Sequence, residues 1–216
     1  MQLLHTAHVP AGDGPHPTLV LLHGWGASAH DLLGLAPLVH GGRALVLCPE
    51  GTLRMEVAPG MGGFGWFALG DGRDPDPAEV STAVDSLWDF LEEASKVYPV
   101  DPSRTVLGGF RQGGFMAYQL ALRAPARFAA LLAMSTWLPE ELADAMEPTP
   151  AHAALPTLVV HGTEDPAVPV ERAQDARESL ERLGMRPSLR EYAMGHEVGP
   201  EALRDILAWL EAEIWT

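Results

Sequence analysis

The chain has 216 residues, enough for one domain with a sizeable core, and 47% of them are hydrophobic, which excludes a disordered class. A formal net charge of −15 argues against nucleic acid and anionic membrane surfaces as partners. A single cysteine, Cys48, allows no internal disulfide and fits a reducing compartment.

The opening MQLLHTAHVP has no cationic stretch followed by an apolar run, and residues 1–9 read as an antiparallel edge strand. No run reaches the roughly 20 apolar residues that span a bilayer, so a cytoplasmic protein without membrane insertion is expected. Short apolar runs follow at 18–23 (TLVLLH), 44–48 (ALVLC), 105–110 (TVLGGF), 129–134 (AALLAM) and 157–161 (TLVVH). Each is too short for a helix and is bounded by Gly, Pro or Asp. Residues 188–192 form a more polar strand near the sheet edge.

Between the runs lie amphipathic stretches. Over 77–98, Val80, Val84, Leu87, Leu91 and Ala94 share one helical face; Asp76 can cap it, Pro77 suits its first position, Glu79 completes a capping arrangement and Pro99 stops it. From Pro200, Leu203, Ile206, Leu207, Leu210 and Ile214 make a second stripe. Weaker helices are expected around 30–39, 112–123, 138–146 and 170–183. Residues 51–76 show no periodicity and read as a long loop, as lids and binding loops often are. Alternation of this kind predicts a mostly parallel sheet with helices on both faces, in one domain over 1–216.

Chemistry concentrates at the strand ends. GGFRQGG, 108–114, has the strand–turn–helix spacing of a nucleophile elbow, with Gly109 and Gly113 flanking a strained central residue. That residue is Arg111. Asp165 follows the 157–161 strand in HGTEDPAVP, and His196 follows the next strand in AMGHEVGP. The order elbow, acid, histidine is that of α/β-hydrolases. LLHGWGAS, 21–28, supplies a glycine-rich turn whose Trp25 amide, with that of Gln112, could face a developing oxyanion.

The chain therefore resembles the α/β-hydrolase superfamily, and more narrowly the phospholipase/carboxylesterase group that includes the acyl-protein thioesterases. The resemblance rests on LLHGWGAS, GMGGFGWF, GGFRQGG, HGTEDPAVP and GHEV, which are spread over nearly the whole length of the chain. It implies an α/β-hydrolase fold, no cofactor and a Ser nucleophile acting on carboxylic esters or thioesters. His196 would be the general base, Asp165 its orienting acid, and Trp25 with Gln112 the oxyanion hole. Trp66 and Phe67 would form the pocket wall; Trp25, Met61, Phe64, Met134 and Trp137, also on loops or strand ends at the top of the sheet, could complete an apolar acyl pocket. The implied partner is a small acyl ester or an anionic ligand, met by a monomer or homodimer.

The nucleophile does not carry over. Arginine stays protonated, with a pKa above about 12, and offers donors but no attacking lone pair. Cys48, Ser28 and Ser135 lack elbow flanks and do not replace it. Three readings stand at this level: a silenced carboxylesterase, a receptor whose Arg111 grips a carboxylate, and slow hydrolysis by a water that His196 activates. GMGGFG, 60–65, fits a dinucleotide pattern literally but leads into no helix, and the nine histidines show no zinc spacing. Neither a dinucleotide nor a metal is expected.

Overall fold

The computed structural model describes residues 3–69 and 75–215. Strands β1 (His5–His8), β2 (His16–Leu22) and β3 (Leu45–Pro49) lead into a hairpin of β4 (Leu53–Ala58) and β5 (Met61–Gly65). Then follow α1 (Pro77–Val97), β6 (Val100–Phe110), α2 (Gln112–Arg123) and β7 (Ala130–Met134). After the short helices α3 (Glu140–Asp144) and α4 (Pro150–Ala154) come β8 (Thr157–Gly162), α5 (Glu171–Arg182), β9 (Ser188–Tyr192) and α6 (Pro200–Trp209).

Seven strands form one sheet in the order β1-β3-β2-β6-β7-β8-β9. All neighbours are parallel except β1, which pairs antiparallel with β3. Successive side chains on a strand face opposite ways, so a sheet covered on both sides demands unbroken apolar runs. The runs supply this. Val20 and Leu22 join Leu107, Leu131 and Val159 in the core that α1, α2 and α5 cover, while Leu19 and Leu21 join Val106, Leu132 and Val160 in the core beside α6.

Asp76 accepts the Ala78 N–H at 2.9 Å and Pro77 opens α1. Glu79 does not complete that cap: its carboxylate accepts the Ala68 N–H at 2.7 Å and pins the preceding loop to the helix. Beyond α6, the chain widens into a looser turn over Leu210–Ile214, and the Trp215 indole donates to the Arg104 carbonyl at 3.0 Å.

Three stretches differ from expectation. Residues 30–39 contain no single helix but two tight turns, Leu33–Leu35 and Val39–Gly42, the second interrupted by His40 at φ 50°. Pro37 lacks the amide that a continuous helix would need there. Helix α4 was not anticipated, and the expected helix over 138–146 shrinks to five residues. The supposed loop at 51–76 carries the β4–β5 hairpin, while its residues 70–74 lie outside the described residues. The hairpin is tied to the turn after β2, Gly26 donating to Phe64 at 2.8 Å and Phe64 to Ala27 at 2.8 Å. A Cβ on Gly63 would collide with the Gly26 carbonyl. Close approach of two backbones, not a phosphate, explains this glycine-rich run.

Candidate active site

One residue makes the whole turn between β6 and α2. Arg111 sits there at φ 52° and ψ −117°, a region that side chains avoid unless their surroundings impose it. Its N–H donates to the Met134 carbonyl at 3.0 Å, and its carbonyl accepts from Phe115 N–H at 3.1 Å and Thr136 Oγ1 at 2.6 Å. The flanks leave no alternative. A Cβ at Gly109 would strike the Gly113 backbone, and one at Gly113 would strike the Leu22 and His23 carbonyls. Ends of β2, β6 and β7 thus fix a sharp turn that lifts the Arg111 side chain off the sheet.

The loops after β8 and β9 meet nearby. His196 donates Nδ1–H to Asp165 Oδ2 at 2.7 Å. The other carboxylate oxygen accepts the amides of Ala167 at 2.8 Å and Val168 at 2.9 Å. Burial alone would raise the Asp165 carboxyl; the Val168 amide, His196 and the Ala167 amide together outweigh it and hold the group below its ordinary value. Asp165 therefore stays ionised and fixes the imidazole tautomer. Nε2 of His196 is left as the lone-pair nitrogen, shielded from solvent and without a partner among the described residues. The ring rests against Phe110, centroids 4.9 Å apart, beside the turn that Arg111 makes.

Arg111 does not compete for Asp165. Among the described residues its guanidinium has no ion pair, and it lines a groove of about 1140 Å³ bounded by α1, α2, the 137–146 segment and the Ala167–Pro169 loop. The groove thus joins Arg111 to the loop that holds Asp165. As first residue of α2, Gln112 has an N–H with no intrahelical acceptor. Among the described residues the Trp25 N–H has no acceptor either, and Gly24 places the Trp25 turn against the Arg111 side chain.

Of the residues expected to wall an acyl pocket, Trp137 lines this groove, while Trp66, Phe67, Met61 and Met134 are placed differently. Trp66 and Phe67 are 1% exposed and Met134 2%, all inside the core. Met61 stands 61% exposed on the hairpin. None of the four lines the groove. Trp66 and Phe67 act as anchors instead: the Gln112 side chain accepts the Trp66 N–H at 2.8 Å and donates to the Phe67 carbonyl at 2.7 Å. The Trp66 indole donates to the His23 carbonyl at 2.9 Å. Gln112 therefore ties the segment after β5 to the turn itself. The walls are Val80, Val84, Phe115, Trp137, Leu142 and Val168. Helical periodicity marks several of them only as core.

Two further residues were passed over as active-site neighbours. Ser135 follows β7 at φ 43° with its hydroxyl buried and without a partner among the described residues, and His161 donates Nε2–H to the Val168 carbonyl at 2.8 Å. His161 thereby steadies the loop that grips Asp165. Neither Ser135 nor Cys48 is an available nucleophile, since each is 1% exposed and burial pushes the Cys48 thiol up to about 12. Among the described residues, no group of three His, Cys, Asp or Glu side chains could hold a metal ion, and no helix is long and apolar enough to cross a membrane.

A mostly parallel sheet carrying an acid and a histidine on successive loops, beside a one-residue strand-to-helix turn, defines an α/β-hydrolase. The phospholipase/carboxylesterase family model matches residues 5–214, and the chain belongs to that family. It is 30% identical to an acyl-protein thioesterase 1 of Gibberella zeae over 224 residues, covering 95% of this chain and 94% of the relative. A thioesterase of the same name from Mycosarcoma maydis is 28% identical, with 94% of each chain covered. Among solved structures, esterase PE8 superposes with a TM-score of 0.85 at 28% identity, over 99% of this chain and 100% of that one. The Bacillus cereus carboxylesterase shares the fold, with a TM-score of 0.82 at 23% identity over 97% and 94% of the two chains.

Proposed function

We propose that this chain is an ester or thioester hydrolase scaffold silenced at one step, because Arg111 occupies the position from which a hydroxyl would attack. In a working enzyme of this geometry, His196 Nε2 takes the proton of the attacking hydroxyl, and Asp165 stabilises the imidazolium. The Trp25 and Gln112 amides then hold the oxyanion. Here the base and its orienting acid are in register, but the group they would serve is a cation that cannot form an acyl-enzyme. The observation that carries this reading is the unpartnered His196 Nε2 beside a φ 52° turn made by Arg111. Losing the nucleophile of such a site costs about a million-fold in turnover. Direct water attack is disfavoured by the solvent-shielded position of Nε2.

A fluorophosphonate probe tests the idea. Mass spectrometry should find no adduct on the parent chain and a single one at position 111 of the Arg111→Ser variant. An adduct on the parent, or none on a folded variant, would overturn the reading.

A further inference from the structure

An arginine that cannot attack can still bind. The Arg111 guanidinium has no ion pair among the described residues, and Arg111 lines the groove. A half-buried guanidinium gains most from a planar anion that accepts two parallel N–H bonds. Val80, Val84, Phe115, Trp137, Leu142 and Val168 give the same groove apolar lining, and the exposed groups Ser81, Asp85, Glu140 and Glu141 line it as well. The groove's other cations are differently placed. Arg123 is held by Gln119 Oε1 at 3.0 Å, and Arg172 is exposed on α5.

We propose that this groove is a receptor site for monocarboxylates with an aliphatic tail, the carboxylate paired bidentately with Arg111 and the tail lying between α1 and α2. The inference rests on Arg111 holding the reaction position as a non-nucleophile. One guanidinium balances one negative charge, and a chain of net charge −15 disfavours a dianion there. Each buried methylene should tighten binding about fourfold, so affinity should climb with tail length until the groove is filled.

Calorimetric titration of the full chain with butyrate, hexanoate, octanoate and decanoate tests this, with octanol as the tail alone and inorganic phosphate as the other anion. Octanoate should bind at least tenfold more tightly than octanol or phosphate. Arg111→Gln should cancel that tenfold while leaving octanol binding unchanged, and Arg172→Gln should change octanoate binding less than twofold. Val84→Trp should block octanoate with Arg111 intact. Equal binding of octanol and octanoate, phosphate binding as tightly, or a loss with Arg172→Gln as large as with Arg111→Gln would each overturn the proposal. If Arg111→Gln does not fold, the parent's preference for octanoate and the Val84→Trp result still decide. The fluorophosphonate experiment separates the two readings. A labelled Arg111→Ser variant with no carboxylate binding by the parent removes the receptor and keeps the silenced hydrolase. Carboxylate binding with an unlabelled, folded variant does the reverse.

Discussion

Asp165 is tied to His196 at 2.7 Å while the amides of Ala167 and Val168 hold its second oxygen at 2.8 and 2.9 Å. Those donors also line the groove that Arg111 lines, so one loop holds the acid and bounds the groove. Hydrogen bonding of this kind couples the local geometry to pH.

Asp165→Asn should destabilise the fold in a pH-dependent way. The carboxyl lies below its ordinary value in the folded state, so its contribution is complete above the unfolded pKa of about 3.9 and is lost as pH falls through the folded one. Thermal melts should show the variant below the parent at pH 7, with the gap closing progressively as pH falls below about 4. A gap that stays constant down to pH 2.5 would contradict the assignment.

Gln112 bonds both the Trp66 amide and the Phe67 carbonyl. Gln112→Ala orphans two buried backbone groups and should cost about 2–4 kcal/mol. In a chain of this size, that lowers Tm by roughly 4–15 °C. Gln119→Ala, two turns along α2, removes side-chain hydrogen bonds to Arg123 alone and orphans no backbone group, so it should cost less than Gln112→Ala.

Cys48 should ignore thiol reagents in the native protein. It is 1% exposed and burial pushes its pKa to about 12, so at pH 8 almost no thiolate forms. Ellman's reagent should register one thiol in guanidinium and none without it. Rapid native labelling would show that the end of β3 opens to solvent.

Gly113→Ala should abolish folding or cost more than about 4 kcal/mol, because its new methyl group would drive into the Leu22 and His23 carbonyls. A soluble, cooperative variant with the parent's Tm would mean that β2 and α2 do not close on the turn as described.

Most of the sheet could be read from sequence because a strand covered on both faces carries a nearly unbroken apolar run, as LVLL within TLVLLH and AALLAM do. The β4–β5 hairpin escaped for the opposite reason. Its strands are largely exposed and MGGFG carries three glycines, so neither alternation nor β propensity marks it. Arg111, Asp165 and His196 were legible because glycine spacing and strand ends locate them without tertiary information. The groove was not. Val80 and Val84 belong to the same stripe as Leu87, and periodicity cannot separate a face that turns from core into channel partway along a helix. The family resemblance suggested Trp66 and Phe67 as pocket wall; the backbone bonds that anchor their segment come from Gln112, 46 and 45 residues away.

Steady-state hydrolysis of p-nitrophenyl butyrate by the parent, by Arg111→Ser and by Arg111→Ser with His196→Ala bears most directly on the central claim. The single variant should exceed the parent by at least about a thousand-fold, and the second change should return it to the parent's level. A folded Arg111→Ser chain no faster than the parent, or a gain that survives loss of His196, would show that residue 111 does not stand where the attacking group belongs.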